Sequence, residues 1–380
     1  MIKIKRLRLM NEYIENTRKP FSGLSTLFYI DLKLLVPIIL ITIIGLITIY
    51  SSSSGDMALV LKQFTRIVIG LIVMIFIAQV HPDNLKLFAP ALYFLTLILL
   101  FLVLFIGVGK SADRWLDLYF IRFQPSELMK IFIPLMLASY YSDKPLPPRI
   151  KYIFVAILIA LIPVILIMRQ PDLGTALLIG MSGAIAILLA GMSIKFFIGS
   201  SFSVAALVPI LWMNMHQYQK QRVLTFFNPE LDPLGSGYHL MQSKIALGSG
   251  GFFGKGFFNG TQSKLGFVPE HSTDFILTAF GEEFGFMGIA ILMLLYLFIA
   301  LRGLSISIKA TDNFGRILSG TLSLTLYLYV LVNVGMVIGF LPVVGAPLPF
   351  MSYGGTSMVT LFATIGIIMS IKYHQRILRK

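Results

Sequence analysis

Few residues of this 380-residue chain can do acid–base chemistry, and the most telling is Asp274. It stands where a long polar stretch turns back into an apolar run, with no Lys or Arg within four positions on either side. Its partner is therefore a tertiary neighbour, a metal ion or a substrate proton. A carboxylate whose pKa is lifted by apolar surroundings can serve as a general base. Glu282 and Glu283 follow about two turns deeper in the same apolar run, where carboxylates are expensive and default to a functional reading. Glu127 and Lys130 are three apart, a spacing that puts them on one helical face as an ion pair. Alone, such a pair reads as structural. Asp172 has only Arg169 as a sequence-local base, and either neutralises a more distant cation or orients a substrate. Arg114 and Trp115 open the segment RWLDLYFIRFQPSE, whose alternation of aromatic and polar residues suits a membrane interface; packing there is a better reading than substrate contact.

Other chemistries find no support. There is no cysteine, hence no disulfide, thiol nucleophile or thiolate metal site. The glycines between 235 and 260 contain no GxxxxGK[ST] phosphate loop and are threaded with Phe252, Phe253, Phe257 and Phe258. That run reads as an amphipathic loop that dips partly into the membrane. The five histidines are scattered, without H-E-x-x-H or similar ligand spacing, so a permanent metal site is not indicated. The pattern leaves room for a loosely held divalent cation, Mg2+ or Mn2+, shared between a carboxylate and substrate phosphates.

The elements that must position these residues are membrane spans. The chain is 57% hydrophobic and 13% charged, with a mean hydropathy of +0.85, a balance foreign to soluble domains. Apolar windows of the length that crosses a bilayer occur at about 32–50, 62–80, 86–108, 125–141, 151–168, 173–190, 194–214, 274–300, 315–338 and 355–372. The expected fold is an all-α polytopic membrane protein with about ten transmembrane helices, since an isolated span must satisfy its own backbone. Residues 1–30 form a basic tail, either solvated or lying on an anionic leaflet, and 31–380 a single transmembrane domain. A long extracytoplasmic loop, about 215–273, joins helices 7 and 8. A loop of that length is usually functional. The first span is too long for a cleaved signal core and should remain.

Orientation follows from Lys and Arg in the short loops. The groups around Lys86, Lys144/Arg149/Lys151, Lys195, Arg302/Lys309/Arg316 and the C-terminal Lys372/Arg376/Arg379/Lys380 fall on the side of the N-terminal tail. Both termini are then cytoplasmic. The formal charge of +14 is explained by these orientation signals and by anionic lipid, not by nucleic acid. In this topology spans four, six, eight and ten all start at the outer face, with QPSELMK from Gln124, QPDLGTA from Gln170, PEHSTDF from Pro269 and PLPFMSYGG from Pro347. Helix starts offer unpaired N–H groups and a positive dipole end, so their convergence would make an anion-binding vestibule. The same starts are also what four ordinarily capped helices would show.

Taken together these segments resemble the SEDS family, and its RodA branch more than its FtsW branch. The motifs are RW…RFQPSE..K, QPDLGTA, DPLGSGYHLMQSKIALGSGGFFGKG…GTQS, PE..TDFI…EE.G and GFLPVVGAPLPFMSYGG, in order from about residue 30 to the C-terminus. The resemblance implies a peptidoglycan glycosyltransferase that polymerises lipid II at the outer face of the cytoplasmic membrane during elongation. Its partners would be a class B penicillin-binding protein transpeptidase and other membrane proteins of the elongation complex. It makes Asp274 the essential carboxylate, and maps Trp115, Glu127, Lys130 and Asp172 onto family motifs. In this sequence Ser272 directly precedes the Thr-Asp pair where the family commonly has His, and the histidine is one earlier, His271, so no role is carried over to it. Glycosyl transfer from a polyprenyl diphosphate needs a base for the acceptor hydroxyl, and Asp274 can supply it. Stabilisation of the departing diphosphate can come from helix starts such as that at Gln124, from Lys130 or Arg114, or from loop bases such as Arg222 and Lys244. The competing classes are a lipid II flippase, which would need a charged path through the membrane and usually an inverted repeat, and a non-catalytic scaffold, which would tolerate loss of Asp274.

Overall fold

The computed structural model describes residues 29–108, 114–117, 122–193, 217–228, 235–264 and 272–378, with isolated positions at 195, 198–199, 212–213, 230 and 232. Helices α1 (Leu32–Ser52), α2 (Met57–Gln79) and α3 (Pro82–Ile106) come first, each opened by a capping side chain. Asp31 accepts from the Lys33 N–H, Asp56 from those of Ala58 and Leu59, and His81 from that of Asp83. A two-stranded hairpin, β1 (Leu116–Asp117) with β2 (Arg122–Phe123), leads into α4 (Pro125–Ser142), α5 (Ile150–Met168) and α6 (Leu173–Leu189). Three helices, α7 (Gln217–Phe227), α8 (Ser236–Gly250) and α9 (Thr261–Lys264), occupy the expected long loop; then come α10 (Ile276–Lys309), α11 (Asn313–Ile338) and α12 (Thr356–Leu378).

Seven of these helices are long and apolar enough to cross a bilayer, and α6 is a shorter apolar helix. Nine of the ten expected windows, six before the loop and three after it, contain a described helix. The remaining one, 194–214, lies almost wholly outside the described residues, as does the basic tail through residue 28. Much of the outer surface is apolar: on α2 alone Leu61, Phe64, Ile72 and Phe76 are exposed. Such a surface would be a liability in water, whereas lipid covers it without cost.

In hydrocarbon, helices associate through close packing of small residues rather than through a hydrophobic drive. Gly70 of α2 lies under the Phe362 ring of α12, and Gly366 of α12 lies against the backbone of Met74. The most buried spanning helix after α12 is α11, which packs on α10, α6 and α4. Its Ser319, Thr321 and Ser323 satisfy their hydroxyls on carbonyls four residues back at 2.6–2.7 Å. At the cytoplasmic end Asp31 receives both Arg302 and Lys372 at 2.9 Å, tying α1 to α10 and α12.

The glycine-rich run, expected as an amphipathic loop dipping partly into the membrane, forms a clasp on α10. Gly285 breaks α10 with φ 66 and ψ −166, a conformation in which a side chain is strained. The N–H groups of Phe286 and Met287 then donate to Gly251 and Phe252 at 3.0 and 3.1 Å, while Lys255 and Gly256 donate to the carbonyls of Glu282 and Glu283 at 3.0 Å. A Cβ on Gly254 would sit 2.1 Å from the Glu283 carbonyl oxygen, so the backbones meet only because the residue is glycine. Glu282 and Glu283, expected to mark chemistry, belong to this clasp. Glu282 takes Lys255 at 2.6 Å, the Thr261 N–H at 2.9 Å and the Gln262 N–H at 3.1 Å. Glu283 accepts from Ser51 of α1. The loop compensates the burial of the Glu282 carboxylate, and the Glu283 carboxylate ties α10 to α1, so both have structural partners away from the other candidate residues.

Candidate active site

The helix starts expected at the outer face do converge. α4 opens with Gln124 in an extended conformation and Pro125 in its first turn, where a missing N–H is harmless. Glu127 follows inside that turn, buried, at 2.7 Å from Lys130 and 3.4 Å from the Thr360 hydroxyl of α12. Lys130 also lies over the Tyr329 ring of α11, 4.7 Å from its centroid. The structure separates the roles of the two first-turn acids. Asp172 is not inside its helix but caps α6, accepting from the Thr175 N–H at 3.2 Å. It also receives Gln124 at 3.4 Å and Arg114 at 3.5 Å, and Arg114 donates to the Pro171 carbonyl at 2.5 Å. The distant cation that the sequence left open is Arg114.

Asp274 sits two residues before α10, on a turn laced to the irregular segment 340–355. The Tyr353 N–H donates to Ser272 at 2.8 Å and the Ser352 hydroxyl to Thr273 at 2.6 Å. Asn333, fully buried in α11, donates through Nδ2 to the Asp274 carbonyl at 2.8 Å and to the Ala346 carbonyl at 2.7 Å. One side chain thus clamps both segments. Gly345, with φ 72, passes so close that a Cβ there would lie 3.3 Å from the Asp274 Oδ2. From α7, Arg222 donates to the Val343 carbonyl at 3.2 Å, and from α2, Gln63 donates to Ser352 at 3.0 Å.

These parts enclose a cavity of about 530 Å³. Its wall includes Arg114, Trp115, Gln124, Glu127, Lys130, Asp172, Arg222 and Asp274, so eight of the nine residues given a part by the family motifs or by the diphosphate chemistry are brought together. Three carboxylates face three cations, and the starts of α4, α6 and α12 add their dipole ends. The wall is formally neutral and polar in an apolar body, a setting in which fixed dipoles act strongly on charge that develops during a reaction.

Lys244 is the exception. It is exposed on α8, with its Cε against Gly339 at the end of α11, and does not line the cavity. Membership of a loop rich in bases gave no information about which way its helix would turn. Trp115 corrects the reading in the other direction. Its backbone pairs with Val108, and the residue lines the cavity instead of merely packing at an interface. Sequence reasoning missed Asn333, Tyr329 and Thr360. A lone amide within the apolar α11 was the available signal for Asn333, because an uncompensated amide in a span requires partners.

Fold and site together define a polytopic membrane protein with an acid–base cavity where several spans begin at one end of the bundle. The chain belongs to the FtsW/RodA/SpoVE family, described as cell cycle protein, whose model matches residues 26–377. It is 44% identical over 354 residues to the peptidoglycan glycosyltransferase MrdB of Escherichia coli (strain K12), covering 93% of this chain and 96% of that protein. It is 35% identical over 374 residues to the probable peptidoglycan glycosyltransferase FtsW of Trichlorobacter lovleyi, covering 94% and 96%. Among solved structures it is similar to a chain from work on structural coordination of polymerization and crosslinking by a peptidoglycan synthase complex, with a TM-score of 0.80, 28% identity and coverage of 91% and 98%. It is also similar to the rod shape-determining protein RodA of Thermus thermophilus, with a TM-score of 0.70, 25% identity and coverage of 91% and 97%.

Proposed function

We propose that this multi-pass protein of the bacterial cytoplasmic membrane is a peptidoglycan glycosyltransferase that polymerises lipid II at the outer face, with Asp274 as its base. The observation that carries the reading is that Asp274 shares one cavity with Arg114, Lys130 and Arg222 and with three helix starts. The Asp274 carboxylate takes the proton of the acceptor sugar's 4-hydroxyl. The freed oxygen bonds to the anomeric carbon of the donor, and the bond from that carbon to the diphosphate breaks, its electron pair leaving with the phosphate oxygen. Arg114, Lys130, Arg222 and the N–H groups at the helix starts meet that negative charge. Glu127 holds Lys130, Asp172 holds Arg114 and Gln124 braces Asp172, while Trp115 offers an aromatic wall to a sugar or prenyl group.

Among the described residues no group of three or more His, Asp or Glu is arranged to hold a metal ion. A divalent cation at this site would arrive on the substrate's phosphates. The similarity to a chain of a synthase complex that couples polymerisation with crosslinking supports a class B penicillin-binding protein as partner. Purified protein with that partner should convert labelled lipid II to polymer, and to the same extent after chelation and return of Mg2+. Absence of polymer from the folded complex would overturn the reading and return weight to a flippase or a scaffold.

A further inference from the structure

Two cations of α2 lie outside the site just described. Lys62 and Arg66 lie four residues apart on α2, in the half of the span nearer Met57. They are one turn apart on the same side of the helix, where like charges repel. Cations in the outer half of a span also gain nothing as orientation signals, which act from the cytoplasmic side. Neither has a carboxylate within ion-pair distance among the described residues. Lys62 is exposed. Arg66 is half-buried, its guanidinium lies over the Tyr353 ring, 4.3 Å from the centroid, and its Nη1 is buried without a hydrogen-bond acceptor. Tyr353 is itself part of the cavity wall. An uncompensated pair of this kind inside a span is costly unless something anionic comes to it.

The ligand chemistry follows from the transferase reading, on which this inference rests. That reaction joins two lipid-linked molecules, each carrying a diphosphate, while the cavity's three cations are balanced by its three carboxylates. One diphosphate is met in the cavity; the other still lacks a seat. We propose that Lys62 and Arg66, beside Tyr353, form a second phosphate seat that holds the diphosphate of one of the two polyprenyl-linked substrates. Tyr353 then separates the two seats, and its backbone tie to Ser272 links the second seat to the Asp274 turn. An ordinary phospholipid offers the same phosphate chemistry. Arg66, however, is turned toward the cavity, over the ring of Tyr353 in the cavity wall rather than out into the surrounding lipid. A diphosphate drawn toward the cavity meets it there.

The test uses the full-length protein in phosphatidylcholine nanodiscs, titrated separately with undecaprenyl diphosphate and with phosphatidylglycerol. Arg66→Gln should weaken undecaprenyl diphosphate binding about tenfold, the loss expected for one charge-assisted contact, and Lys62→Ala severalfold. Phosphatidylglycerol binding should be unchanged in both. Unchanged undecaprenyl diphosphate affinity would overturn the proposal. So would an equal loss for phosphatidylglycerol, which would make the pair a general anionic-lipid contact. If Arg66→Gln does not fold, the exposed Lys62→Ala decides the matter alone. Polymer formation by the wild type, lost in Asp274→Asn, is read in parallel. If that contrast holds while Arg66→Gln binds normally, only the second seat falls; if the wild type makes no polymer, the transferase reading falls as well.

Discussion

Asn333 gives the sharpest test of how the site is held. Replacing it with leucine keeps the approximate volume but removes both Nδ2 donors, leaving the Asp274 and Ala346 carbonyls without the bonds they make at 2.8 and 2.7 Å. Each buried acceptor left unpaired costs roughly 1–3 kcal/mol. Part of that is offset because Asn333 Oδ1, buried without a partner, is removed as well. The net loss of stability should be about 1–3 kcal/mol. The effect on rate should be larger, because a base displaced by about 1 Å can cost on the order of 100-fold. The cations that meet the diphosphate are untouched. Polymerisation measured across lipid II concentrations should therefore show kcat reduced about 10- to 100-fold with KM changed little. A thermal-shift measurement confirms that the protein is folded. An unchanged kcat, or a raised KM at unchanged kcat, would refute the claim that Asn333 positions Asp274.

The remaining predictions concern separate parts of the molecule. Lys130→Met strands Glu127, which has only 8% side-chain exposure, and should destabilise the protein by about 3–5 kcal/mol by thermal unfolding. Adding Glu127→Gln should restore most of the stability but not polymer formation, which separates the pair's structural role from its role toward diphosphate. Gly285→Ala should lower stability by about 2–4 kcal/mol, since it meets a positive φ and a Cβ would lie 2.3 Å from the Gly254 nitrogen. If its unfolding temperature matches wild type, the clasp is not as tight as described. Lys244→Ala should polymerise within about twofold of the wild-type rate, as expected for an exposed residue away from the cavity. A loss beyond tenfold would restore it to the site.

How much was legible in the sequence depended on whether the deciding interaction was local. The spans could be read because hydrocarbon imposes one length and one composition on each, and α1 and α11 fall within two residues of their expected windows. The site could be read where helix starts carry their own chemistry, as at Glu127 with Lys130. The fate of Glu282 and Glu283 was hidden, because their partners Lys255, Thr261 and Ser51 come from other segments. A buried carboxylate looks the same in sequence whether it catalyses or clasps a loop. Asn333 was hidden for a similar reason: its two acceptors are backbone carbonyls, which carry no sequence signal. Lys244 and Trp115 show that alternation and loop membership say little about which way a side chain turns once the segment folds back.

The central claim is that Asp274 is the base within a cavity built to hold departing diphosphate. Its most direct test is polymerisation of labelled lipid II by the purified protein with its partner, comparing wild type with Asp274→Asn. Asparagine keeps the size and removes the charge and basicity. Loss of polymer, with folding, partner binding and undecaprenyl diphosphate affinity intact, is the predicted result. Polymer formed by Asp274→Asn at the wild-type rate would contradict the account.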